Sequence, residues 1–157
     1  MNRLPSLQKD YSDFSDRDAA LVQLPKGATK AQKTERERLH KLARDTGDWS
    51  EITSQGQTVT RYRFRQLTAD EFLVLMAMRE RNEPSPHVLS IAFRLALVDV
   101  EPLPDGVAVE HIDDPKLGRI ALTSFFEGLG FLPGKAANVI LELGGRVLAR
   151  AREPDPL

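Results

Sequence analysis

Beyond residue 70 the chain gathers its apolar residues into three long stretches, and just before them it alternates apolar and polar residues in a shorter piece. The first stretch, Phe72-Leu73-Val74-Leu75-Met76-Ala77-Met78, is apolar on almost every side of a helix. Thr68 and Glu71 stand just ahead of it at capping-box spacing, where hydroxyl and carboxylate satisfy N–H groups that a first turn leaves without partners. The pattern predicts a helix over 69–82, and such all-round apolarity predicts a central one. Ser85-Pro86 then supplies an N-cap and an N1 proline for a helix to about Val98, apolar through Val88, Leu89, Ile91, Ala92, Phe93, Leu95, Ala96 and Leu97. These two helices are expected to form a core hairpin. Pro133 opens a last helix with Ala136, Val139, Ile140, Leu143, Val147 and Leu148 at helical spacing, although Gly144-Gly145 weakens it. Phe72, Leu75, Met76, Leu89, Phe93, Leu97, Ile140 and Leu143 are expected to be buried together.

The alternating piece is Thr58–Gln66. Thr60, Tyr62 and Phe64 fall on one face of a strand and Arg61, Arg63 and Arg65 on the other. With Trp49–Thr53 and the glycine-containing turn Ser54-Gln55-Gly56-Gln57, it predicts a β-hairpin over 49–66. Upstream, Thr29 and Gln32 form another capping box, and good helix formers run to Thr46 before Gly47, predicting a helix over 30–46. Its apolar stripe is only Ala31, Leu39, Leu42 and Ala43, too thin for a buried helix; a surface position or a bridge to a partner is expected. Residues 99–116 read as loop, with Val107-Ala108-Val109 as a short strand, and a short helix is expected near 116–127. Residues 1–28 mix prolines, aspartates and single hydrophobes without a period, which predicts an extended arm that orders against something else. The expectation is a mainly α, α+β fold: an arm (1–28), one domain of about five helices with a small hairpin (29–152), and a tail (153–157).

Composition adds exclusions. The 157 residues contain no cysteine, which removes disulfides, zinc thiolates and cysteine nucleophiles. A net charge of −1 gives no global drive toward nucleic acid or an acidic membrane. The start of the sequence shows no signal peptide or lipid anchor, and no apolar run is long enough to span a bilayer. Charge is nonetheless uneven. Residues 1–66 carry 13 basic and 9 acidic side chains, 67–114 carry 3 and 10, and 115–157 carry 6 and 4.

Candidate chemistry is sparse. Gly128-Leu129-Gly130-Phe131-Leu132-Pro133-Gly134-Lys135 resembles a phosphate loop in composition only. Leu129 stands where a Walker glycine is required, and Ala136 where a hydroxyl should hold magnesium. His111 lies beside Glu110, Asp113 and Asp114, a weak metal or acid–base cluster better read as an acidic turn. No metal, cofactor or catalytic residue is expected. The sharpest polar feature is the row Arg61, Arg63, Arg65, which suits acidic partner surfaces or phosphates. Leu7, Tyr11, Phe14 and Leu21 read as docking anchors on the arm, and Trp49, the sole tryptophan, as a core or interface anchor.

In Tyr62-Arg63-Phe64-Arg65-Gln66-Leu67-Thr68-Ala69-Asp70-Glu71-Phe72, in Ala92-Phe93-Arg94-Leu95-Ala96-Leu97-Val98-Asp99-Val100-Glu101 and in Val139-Ile140-Leu141-Glu142-Leu143-Gly144, the chain resembles small tailed-phage morphogenesis proteins, most of all tail assembly chaperones and related structural proteins. The resemblance implies a non-enzymatic component acting on other phage proteins in the host cytoplasm or in the virion, with self-association open; from charge and composition no membrane partner is expected and nucleic acid is disfavoured as one. Two alternatives stand beside it. One is a nucleic-acid-binding module using helix 30–46 and the Arg61, Arg63, Arg65 face; the other is a phage regulator directed at a host protein.

Overall fold

A computed structural model describes residues 10–15, 24–46, 50–53 and 59–152. Among these the fold is α+β. The elements in order are β1 (Asp10–Asp13), α1 (Lys30–Thr46), α2 (Ser50–Thr53), β2 (Arg61–Arg65), α3 (Ala69–Glu80), α4 (Ser85–Ala96), β3 (Leu97–Glu101), β4 (His111–Asp114), β5 (Gly118–Ala121), α5 (Phe125–Gly128) and α6 (Pro133–Arg152).

Helices start where local signals place them. At α1 the Thr29 N–H donates to Gln32 Oε1 and the Gln32 N–H to Thr29 Oγ1. At α3 the same reciprocal pair joins Thr68 and Glu71. α6 opens at Pro133. Two details differ. Pro84, with no side-chain cap, precedes α4, so Ser85 is a helical residue and not the cap. The helix also stops at Ala96, because Leu97 turns extended (φ −65°, ψ 122°) and begins β3 directly.

The expected hairpin over 49–66 does not form. Ser50–Thr53 is a helical turn, and β2 pairs antiparallel with β1 on one side and β3 on the other, giving a sheet of order β1-β2-β3. A strand with Tyr62 and Phe64 on one face needs neighbours, and the neighbours that cover it come from far away in sequence. Part of the expected arm is thereby a strand of the sheet. The turn residues Ser54–Gln57 lie outside the described residues. The helix expected near 116–127 is instead the antiparallel pair β4–β5 followed by the short α5, and Val107–Val109 is not a strand. Asp114 accounts for the reversal, its Oδ1 accepting from the N–H groups of Lys116 and Leu117. Those bonds hold its carboxyl below the usual carboxylate range.

Two apolar clusters result. The main core gathers Tyr62 and Phe64 of β2, Phe93 and Ala92 of α4, Phe125 and Phe126, and Val139, Leu143 and Val147 of α6. Of the eight residues expected together, Leu75, Phe93, Leu97 and Leu143 are buried in it, and Phe72, Met76, Leu89 and Ile140 pack against it half-buried. α4 and α6 cross very closely. A Cβ on Gly144 would stand 2.2 Å from the Leu89 carbonyl oxygen, so only glycine fits there. The second cluster is small: Phe14, Leu39, Ala43, Ile52 and Val59, through which α1 lies on the surface of the fold.

α3 is not central. Only Leu75 and Met78 of its apolar run are buried, while Leu73 is 63% and Val74 44% exposed. α4 and α6 fill the core against each other, so α3 covers it with a single narrow face.

Candidate protein-contact surface

The arginine row forms as the alternation predicts, yet each guanidinium finds a carboxylate within the chain. Arg61 Nη2 lies 2.8 Å from Glu101, directly opposite on β3. Arg63 Nη2 lies 3.1 Å from Asp10 of β1. Arg65 holds Glu71 with two parallel bonds of 2.8 and 2.7 Å. That last pair is the most sheltered of the three and bidentate, the geometry in which an arginine–carboxylate pair is strongest. Burial pushes the Glu71 carboxyl up, but Arg65 and the Thr68 N–H outweigh it and hold it below the usual range. The row therefore fastens β1, β2, β3 and α3 together, and its charge is already neutralised on the face where an acidic partner would approach.

The described anchors of the arm are also taken up internally. Phe14 is wholly buried, edge-on to the His40 ring at a centroid distance of 4.7 Å. Tyr11 lies against Phe64, with the Arg150 guanidinium 4.3 Å above its ring. Arg146 clamps the segment to α6. Its Nη1 donates to Asp13 Oδ1 at 2.6 Å and to the Phe14 carbonyl, its Nη2 to Glu142 at 2.8 Å, and the Ser15 hydroxyl donates to the same Glu142 carboxylate. Tyr11 and Phe14 thus hold the fold and are not free docking anchors. Leu7, Leu21 and Trp49 lie outside the described residues.

The weaker chemical candidates are structural as well. Lys135, the lysine of the glycine-rich segment, sits 3.8 Å over the Phe131 ring, and a Cβ on Gly128 would strike Val107. His111 Nε2 bonds the Leu97 carbonyl at 2.9 Å, tying β4 to β3. No group of three or more metal-ligating side chains occurs among the described residues. No helix among them is long and apolar enough to cross a membrane. On α1, Arg38 pairs with Glu35 and Glu51, and Lys33, Arg36 and Lys41 share one cleft with Glu37 and Asp45, so the helix presents mixed charge and not a basic stripe.

An apolar surface stays open on α3, at Leu73 and Val74. Phe72, Leu73 and Met76 share one flank of α3 by helical spacing, Val74 extends it outward, and the helix is apolar well beyond the face it buries. The apolarity of the run Phe72–Met78 points to a central helix, and only the packing of α4 and α6 leaves part of it exposed. Beside it, at the join of α3, α4 and α6, is a groove of about 250 Å³ lined by Val88, Leu89, Gly145 and Leu148 and flanked by Arg79 and Arg152. The pattern along any one helix does not reveal this groove, since three elements build it. Compared with protein-family models, curated proteins and solved structures, the chain matches none.

Proposed function

We propose that this chain is a non-enzymatic protein–protein interaction component of a tailed bacteriophage, acting on other phage proteins during tail assembly in the host cytoplasm or retained as a minor component of the particle. The phage setting rests on the resemblance of the segments quoted above. The contact function rests on one observation: Leu73 and Val74, both large and apolar, stand 63% and 44% exposed on a helix whose inner face is already satisfied. Neighbouring apolar residues exposed together mark an interaction surface far more often than single ones do.

The test is the double variant Leu73→Asp, Val74→Asp, introduced into the encoding phage and also purified. Exposed substitutions change stability within about ±0.5 kcal/mol each, so the protein stays folded. Particle assembly, and co-purification of phage proteins with the variant, should be lost. Normal particle yield with a folded variant would refute the reading.

A further inference from the structure

Two properties of the groove beside α3 bear on what it could hold. First, Gly145 lines it in the interior of a twenty-residue helix, yet a Cβ there would meet nothing within 4 Å. Gly144 is glycine because the Leu89 carbonyl leaves no room; Gly145 has no such neighbour. Glycine inside a helix is disfavoured against alanine, so its presence at 145 leaves open a space that internal packing does not require. Second, Arg79 and Arg152, exposed in the last turns of α3 and α6 where a cation suits the helix end, flank the apolar floor together, and neither forms an ion pair among the described residues, so both guanidinium groups are open to a carboxylate from outside. Arg152 touches Met76 Sδ at 3.7 Å, which holds its guanidinium at the edge between groove and α3 flank.

The volume of about 250 Å³ falls below the roughly 300–1,000 Å³ of sites that enclose small molecules, and it matches the seat for an anchoring side chain of a protein partner. Resting on the protein-contact reading above, we propose that the groove receives an acidic segment of another protein. One large apolar side chain of that segment enters against Val88, Leu89 and Leu148, passing over Gly145, and flanking carboxylates pair with Arg79 and Arg152. The charge complement selects such a segment over a purely apolar one, since two cations at the lip would otherwise lose hydration without a partner.

A random twelve-residue peptide library selected on the immobilised full-length protein supplies the probe. Enriched peptides should carry Asp or Glu around a Leu or Phe. By fluorescence anisotropy, an enriched peptide should bind Gly145→Leu and Arg79→Glu/Arg152→Glu at least about tenfold more weakly, as expected for a blocked anchor seat and for opposed charges. Binding to Leu73→Asp/Val74→Asp should be retained. The two variants act by different means, so a folding defect in one leaves the other decisive. Enrichment without acidic residues, or affinity unchanged by both groove variants, would overturn the proposal. So would oligomers of the wild type that Gly145→Leu dissociates, which would assign the groove to a second copy, or saturable binding of a synthetic Glu153–Leu157 peptide, which would assign it to the chain's own tail. Particle assembly by the α3 variant tests the broader reading separately, so the two failures are distinguishable.

Discussion

Two adjacent glycines in α6 should respond to the same substitution in opposite directions. In Gly144→Ala the new methyl would lie 2.2 Å from the Leu89 carbonyl oxygen and 2.9 Å from its carbonyl carbon. Both are backbone atoms of α4, so no side chain can swing aside, and the helices must separate by about 1 Å. A radial gap of ~0.5–1 Å forfeits about a quarter to a half of the dispersion at each affected contact. At stake is the packing of α4 against α6, whose residues in the main core include Val88, Ala92 and Leu95 on one helix and Val139, Leu143 and Val147 on the other. Overpacking of this kind costs about 1–3 kcal/mol or more, against about 1 kcal/mol returned by alanine's better helix propensity. Because the clash is with backbone, the upper part of that range, about 2–3 kcal/mol, applies, and the net loss of about 1–2 kcal/mol should lower Tm by roughly 2–8 °C for a chain of this size. Gly145→Ala meets no atom within 4 Å, so propensity acts alone and should raise stability by about 0.5–1 kcal/mol. Thermal melts followed by circular dichroism, with urea titrations for the free energies, read both variants. If the two alanines shift Tm in the same direction, the close crossing of α4 and α6 is not as described.

Phe14→Ala should destabilise the protein by about 3 kcal/mol, the low end for aromatic truncation, because its cluster is small; an unchanged urea midpoint would place the N-terminal segment outside the fold. Acid should unfold the protein partly through Glu71. Its folded pKa lies below the ordinary 4.5, so the stability it contributes is complete above that value and is lost as pH falls through the folded one. As pH falls below about 5 the wild type should therefore lose stability more steeply than Glu71→Gln, and parallel curves would show that the Arg65 pair contributes nothing.

The helix starts were legible because their signals are local. Thr29 with Gln32, Thr68 with Glu71, and Pro133 each act within one turn, so α1, α3 and α6 begin where the sequence places them. The membership of the main core was legible in part: of the expected residues Leu75, Phe93, Leu97 and Leu143 are buried in it, while Phe72, Met76, Leu89 and Ile140 only pack against it half-buried. What covers it is a nonlocal matter. The alternation of Arg61–Arg65 determined a two-faced strand, but only the tertiary structure chose β1 and β3 as its neighbours, because strand partners exchange hydrogen bonds across any sequence distance. That choice turned Asp10 and Glu101 into partners of Arg63 and Arg61 and took Tyr11 and Phe14 into the fold, whereas Glu71 reaches Arg65 locally, six residues on. The apolarity of Phe72–Met78 was plain, whereas its exposure was not, since burial depends on how much of the core α4 and α6 fill without it. Gly144 and Gly145 are the same residue on the same helix, and one faces a backbone and the other open space. Sequence determines the periodicity of a helix; the crossing of two helices determines which position has room for a side chain.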